Sequence, residues 1–222
     1  MGNYSLFDII GPVMIGPSSS HTAGACRIAR AARKISGVDF AKVVFYLHGS
    51  FAQTYLGHGT DKALVAGALG LEVDDEKLRD SFSIARERGL EFSFVKVNLG
   101  EDYHPNTVKI EMTYPDGRVS TVIGSSIGGG NVKLIEVDGI PLSVGGNFPV
   151  IILKYSEQKG VIAFVSSLLA ENGYNIEKMS TQKDENTVTL IVETTNEVEQ
   201  ALRKKILSDP RFKIGKYLPK GY

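Results

Sequence analysis

Apolar residues recur along this chain with two different periods, and the period changes near residue 90. Ala25, Ile28, Ala29, Ala32 and Ile35 fall at three- and four-residue spacing, with Arg27, Arg30 and Lys34 on the other side, the pattern of an amphipathic helix. It is expected to run about 13 residues, entered through Pro17 and the serines that follow and closed by Gly37. A short apolar stretch at residues 4–10 precedes it. Residues 42–48 are β-branched and aromatic and read as a buried strand. A second helical region breaks at Gly57-His58-Gly59-Thr60-Asp61 and resumes from Lys62, with Thr60 or Asp61 as N-cap. A third helix opens at Asp74 or Asp75 and ends near Gly89.

Beyond residue 90 alternation replaces helical spacing. Residues 91–98 form one strand, and 107–114 meet 118–124 across Pro115-Asp116-Gly117, where Pro presets the turn and Gly permits positive φ. A further strand at 132–137 follows Gly128-Gly129-Gly130. The remainder reads strand 149–155, helix 160–172, strands 174–182 and 187–194, helix 196–208 and strand 212–217. That βαββαβ order is ferredoxin-like. The expected fold class is therefore α+β: an N-terminal mixed α/β domain over 1–146 and a ferredoxin-like domain over 147–222, joined within Ser143–Asn147 at Gly145-Gly146. Lys216–Tyr222 reads as an exposed tail.

Composition narrows the partners. Lys plus Arg and Asp plus Glu are equal at 25 each, which gives no reason to expect nucleic acid or an anionic membrane as partner. No apolar run approaches the roughly 18 residues of a membrane span, and no basic-then-apolar leader opens the chain, so a cytoplasmic protein is expected. The single cysteine, Cys26, excludes an intrachain disulfide and the usual four-cysteine set of an iron–sulfur cluster. Cys26 reads as a small buried hydrophobe.

Candidate chemistry gathers in the first domain, which holds all four histidines: His21, His48, His58 and His104. Gly16-Pro17-Ser18-Ser19-Ser20-His21-Thr22-Ala23-Gly24 places four hydroxyls and an imidazole at a helix start. Unpaired N–H groups and the positive dipole end there suit a carboxylate or phosphate, although one serine could be no more than the N-cap. His58 is flanked by Gly57 and Gly59 and followed by Thr60 and Asp61; His104 precedes Pro105, Asn106 and Thr107. Loop histidines among polar residues suit proton transfer near neutral pH; equally, each could be exposed or structural, and His48, ending a strand, is read as structural. No HExxH, GxSxG, GxGxxG or GxxxxGK[ST] motif is present, so neither a zinc protease, a hydrolase elbow nor a nucleotide loop is indicated.

The serine run resembles the N-terminal signature of the iron–sulfur-dependent L-serine dehydratases. The resemblance continues through His48-Gly49-Ser50, Gly57-His58-Gly59-Thr60-Asp61, His104-Pro105-Asn106-Thr107 and Ser125-Ser126-Ile127-Gly128-Gly129-Gly130. It covers residues 1 to about 140; the C-terminal section is similar to an ACT domain, and together they resemble the β chain of the two-subunit form. The resemblance implies deamination of L-serine to pyruvate and ammonia with a [4Fe–4S] cluster whose cysteines belong to a separate α chain, with no metal held here. It implies His58 or His21 as the proton mover. Ser18, Ser19, Ser20, Thr22, Gly59, Thr60, Asp61, His104 and Asn106 would bind substrate. An ACT module would bind an effector near Lys159, Gly160 and Val161 and self-associate through sheet edges, although Lys159 stands where such loops often carry Pro. A similar N-terminal domain has an allosteric substrate-binding role in some phosphoglycerate dehydrogenases, so the alternative expectation is an amino-acid- or anion-sensing module.

Overall fold

The first apolar helix forms where its spacing places it. In the computed structural model, which describes residues 13–221, α1 (Ala25–Ser36) continues directly from one π-helical turn, Ser19–Gly24. The residues 4–10 stretch lies outside the described residues. Gly37, at φ 98°, ends the helix. Strand β1 (Lys42–His48) follows, then α2 (Gly49–Thr54), α3 (Thr60–Leu69), a 3₁₀ turn (Glu76–Asp80) and α4 (Ser81–Glu87). Asp75 caps that 3₁₀ turn, its carboxylate accepting from the Lys77 N–H at 2.9 Å.

Strands β2 (Glu91–Val97), β3 (Thr107–Thr113), β4 (Val119–Gly128), β5 (Asn131–Val137) and β6 (Ile140–Val144) complete a six-stranded sheet in the order β2-β1-β3-β4-β5-β6. Only β1 and β2 pair in parallel; the other pairings are antiparallel, with β3 and β4 closed at Pro115-Asp116-Gly117. β6 pairs with β5, so Ser143 and Val144, the start of the expected boundary range, belong to the sheet. Alternation in β1 buries Val43, Phe45 and Leu47 on the helix-bearing face.

α1 lies between that sheet and α3. Ile28 presses on Gly124 of β4, while Ala29 and the backbone of Cys26 and Arg30 press on Gly67 of α3. This sandwich corrects the expectation that Arg30 faces outward: it is 8% exposed and paired with Glu72, because α1 is covered on both sides and a buried cation requires a counter-charge.

The chain divides into two units, through Gly145 and from Gly146. The second contains β7 (Val150–Ser156), α5 (Val161–Glu171), β8 (Ile176–Asp184), β9 (Thr187–Thr194), α6 (Gln200–Leu207) and β10 (Phe212–Leu218). Its sheet is antiparallel in the order β10-β7-β9-β8, with Leu153, Val165, Leu169, Leu190 and Ile206 in its core. The expected exposed tail is partly wrong: β10 reaches Leu218, and Tyr217 and Leu218 are buried. Tyr217 donates to the Glu197 carboxylate and accepts from the Val198 N–H at 3.1 Å, anchoring that end. Both units thus combine helices with sheets, an α+β fold.

Candidate active site

The serine run folds as a cap followed by a tight turn. Ser18 is extended (φ −142°, ψ 122°) and its Oγ accepts from the His21 N–H at 3.1 Å, which satisfies one of the orphan donors of a helix start. The π turn behind it, a form concentrated at functional positions, ends against β4. A Cβ on Gly24 would lie 2.6 Å from Ser126 Cβ and closer still to its hydroxyl, so only glycine lets the turn approach the strand.

Four further segments meet this turn or one another. His21 Nε2 lies 2.9 Å from Ser50 Oγ, and its Nδ1 faces Ser18 Oγ at 3.5 Å. The His21 and His58 ring centroids are 4.8 Å apart, and Phe51 packs edge-on to His21 at 5.4 Å. Thr22 is buried and its hydroxyl donates to His58 O at 3.0 Å. Its part is thus to hold the 57–61 loop, and its donor is not free for substrate. Gly49, at φ 57°, would place a Cβ 2.6 Å from Pro105 O. Asn106 O in turn accepts from the Ser126 N–H at 2.9 Å.

Helix α3 starts differently from the sequence expectation. Gly59, left-handed at φ 67°, is the N-cap, and Thr60 and Asp61 are buried first-turn residues. Glycine takes the cap because the chain turns there with positive φ, which Thr and Asp adopt at a cost. Asp61 accepts from the Lys62 N–H at 2.8 Å, and burial raises its pKa above the usual carboxylate range. Burial likewise lowers the pKa of His21, with the nearby His58 as the second cause, since both disfavour an imidazolium.

His58 makes no side-chain hydrogen bond among the described residues, and its Nδ1 is buried. Thr60 Oγ1, Asn106 Oδ1 and Ser126 Oγ are also buried without partners among the described residues. Each such atom costs about 1–3 kcal/mol if left unpaired, so each calls for a water, an ion or a ligand as its partner. Ser19 and Ser20 are half-buried beside the cap, and His104 is exposed, its Nδ1 accepting from the Asn106 N–H at 3.1 Å. His48 is structural here, accepting from the Leu99 N–H at 3.1 Å.

Two residues of this cluster escaped the sequence-level site list, Ser50 and Ser126. The Ser50 contact spans 29 positions, and no local period links it to His21. Their signal was glycine adjacency: Gly49 and Gly24 are positions where only glycine clears a neighbouring backbone or side chain. In the second unit Gly160 is the left-handed N-cap of α5 (φ 87°), and a Cβ there would meet nothing, so conformation and not close approach requires it. Lys159 is exposed, whereas the Val161 side chain is 2% exposed in the core.

Comparison with known proteins decides the family. The chain is 50% identical over 220 residues to the L-serine dehydratase beta chain of Peptoniphilus asaccharolyticus, covering 98% of this chain and 99% of that one. This chain belongs to the L-serine dehydratase beta-chain family. Residues 5–89 match the family described as serine dehydratase beta chain. A probable L-serine dehydratase beta chain of Bacillus subtilis is 41% identical over 206 residues, 92% of this chain and 91% of that one. The L-serine dehydratase of Mycobacterium tuberculosis is 34% identical over 159 residues, 66% of this chain but 32% of that longer protein. No helix among the described residues is long and apolar enough to cross a membrane.

Proposed function

We propose that this chain is the β subunit of a two-chain L-serine dehydratase, a lyase converting L-serine to pyruvate and ammonia. The observation that carries the mechanism is the unequal state of the two histidines. His21 has both ring nitrogens facing hydroxyls and a lowered pKa, whereas His58 has no side-chain partner among the described residues. In this proposal His58, whose ring has no hydrogen-bond partner among the described residues, accepts the proton, and His21, held between two hydroxyls, serves as the hydrogen-bonding group.

In this reading His58 takes the Cα proton of serine as the β-hydroxyl departs, and that proton with hydroxide makes water. The resulting aminoacrylate tautomerises to an imine, which water hydrolyses to pyruvate and ammonia. His21, held by Ser50 and Ser18, sits beside the departing hydroxyl. Thr60, Asn106 and Ser126, whose buried oxygens have no partner among the described residues, gain hydrogen bonds to the substrate or to groups that close over it. The half-buried Ser19 and Ser20 stand at the same helix start, where a substrate carboxylate is stabilised by unpaired N–H groups.

The residues of this chain do not fit an iron–sulfur cluster. Cys26 is the only cysteine; it is fully buried, donates to Leu71 O at 3.6 Å, and burial pushes its thiol pKa up to about 12. Among the described residues no three His, Cys, Asp or Glu side chains converge. A [4Fe–4S] cluster therefore belongs in this proposal to the partner α chain, and the much longer single-chain relative supports the view that a larger partner segment completes the enzyme. The second unit, with strand order β10-β7-β9-β8 and two helices, supports assignment as a ferredoxin-like ACT domain that self-associates through an edge strand.

The test is His58→Ala in the reconstituted α–β complex. Turnover is expected to fall about 10²–10⁴-fold, the usual contribution of a general base, with complex formation unchanged. Undiminished turnover would reject His58 as the base.

A further inference from the structure

Away from the histidine cluster, α1, α3 and the residues after α4 line a half-open pocket of about 160 Å³. Phe40, Ala68, Leu69 and Leu90 stand behind it, all below 10% exposure, and the surface it presents is mostly polar. Its polar groups are two guanidiniums, Arg33 and Arg88, and no carboxylate lines it. Arg33 Nη1 donates to Ala68 O at 3.3 Å and Val38 O at 3.5 Å, while its Nε and Nη2 have no hydrogen-bond partner among the described residues. Arg88 makes no side-chain hydrogen bond or ion pair among the described residues. Burial, with the neighbouring Arg88 cation as the second cause, lowers the pKa of Arg33, and Asp39, outside the lining, opposes the shift.

One arginine suffices to serve the carbonyls at a helix C-terminus. The second, Arg88, is exposed at the rim of the same pocket, so the two guanidiniums stand where one anion can meet both. The volume is below the roughly 300–1,000 Å³ of drug-sized ligand sites, which excludes nucleotides and favours a small ligand. Guanidiniums bind carboxylates through two parallel N–H···O bonds, which points to a small carboxylate as the ligand.

We propose that the Arg33–Arg88 cavity is a binding site for a small organic carboxylate, separate from the histidine cluster and independent of the activity assigned to it. The site needs neither substrate turnover nor a partner chain, so it is testable on the full-length chain alone.

The probe is propionate, titrated at constant ionic strength against ¹⁵N-labelled protein, with chloride as control and inorganic phosphate as a second arm. Saturable shifts are expected at the amides of Arg33, Ala68, Leu69, Arg88 and Leu90, without matching shifts at His21 or His58. Arg88→Ser, at an exposed position, is expected to weaken binding at least about tenfold, the loss typical of a charge-assisted hydrogen bond. Arg88→Lys, which keeps the charge and loses the fork, falls between. Non-saturating or scattered shifts, or an affinity unchanged in Arg88→Ser, would overturn the proposal. Saturation by phosphate but not propionate would overturn the ligand class.

Discussion

The contact between α1 and α3 at Gly67 offers the sharpest test of how this fold holds its site. A Cβ added there would lie 2.7 Å from Ala29 Cβ and 3.0 Å from Arg30 N, and nearer still to Cys26 O. Backbone atoms cannot rotate away, so Gly67→Ala forces the helices apart, and the cost belongs near the upper end of overpacking, about 3 kcal/mol. Against this stands a helix-propensity gain of about 1 kcal/mol for alanine over glycine. The net is about 2 kcal/mol of destabilisation, close to a thirtyfold rise in the opening equilibrium. Cys26 provides the assay, because it is the only thiol in the chain, is fully buried and lies at this contact. When opening is fast relative to labelling, the rate of thiol modification tracks the open population, and Gly67→Ala should raise it about thirtyfold. Adding Ala29→Gly removes one of the three contacts and should restore protection only in part. Labelling that is unchanged or slower in Gly67→Ala would mean that propensity outweighs the contact and that the helices do not press together at this point. The consequence for the site is direct: α1 follows from His21 and α3 from His58, so their separation sets the 4.8 Å between the rings.

Further outcomes follow from the same geometry. His21 titrates below its ordinary value, so the unfolded chain binds more protons just under pH 6.5 and stability falls as pH drops through that window; His21→Gln should flatten this slope in thermal melts between about pH 5 and 8. In NMR titrations His58→Ala should move the His21 pKa part of the way back upward, since burial, the larger cause, remains. Ser50→Ala removes one hydrogen bond to His21, worth about 1 kcal/mol or roughly a fivefold loss of turnover in the complex; Ser50→Thr should retain most of it, and an unchanged pH profile in Ser50→Ala would refute the positioning role. Gly160→Ala meets no neighbour but sits at φ 87°, so it should destabilise the second unit by about 1–2 kcal/mol through backbone strain alone, read as a lower melting temperature.

Much of this architecture was legible in the order of residues. The spacing of Ala25 to Ile35 located α1, the β-branched run located β1 at its observed bounds, and Pro115-Asp116-Gly117 located the β3–β4 hairpin. Such features are local: a periodic face or a turn residue needs only its near neighbours to take effect. The short strand Ile140–Val144 went unread beside Gly145-Gly146, because its pairing with β5 is what makes it a strand. The cap at Gly59 was misplaced for a similar reason. Thr60 and Asp61 carry the side chains of good caps, yet the first turn of α3 is buried and takes them inside.

For the site, the sequence determined the inventory. It contained the hydroxyl run, the glycine-flanked His58, the Asn106 loop and a cysteine count incompatible with a cluster in this chain. What only the tertiary structure decided was the division of labour. Thr22 is committed to His58 O, Ser50 reaches His21 from 29 residues away, and the His58 ring is left without a hydrogen-bond partner among the described residues. Arg30 is buried and paired, whereas Arg33 and Arg88 share a cavity although 55 positions separate them. Periodicity records which face of an element is apolar, but a hydrogen bond or a buried charge depends on the element that arrives opposite, and that is set by how the helices and strands pack.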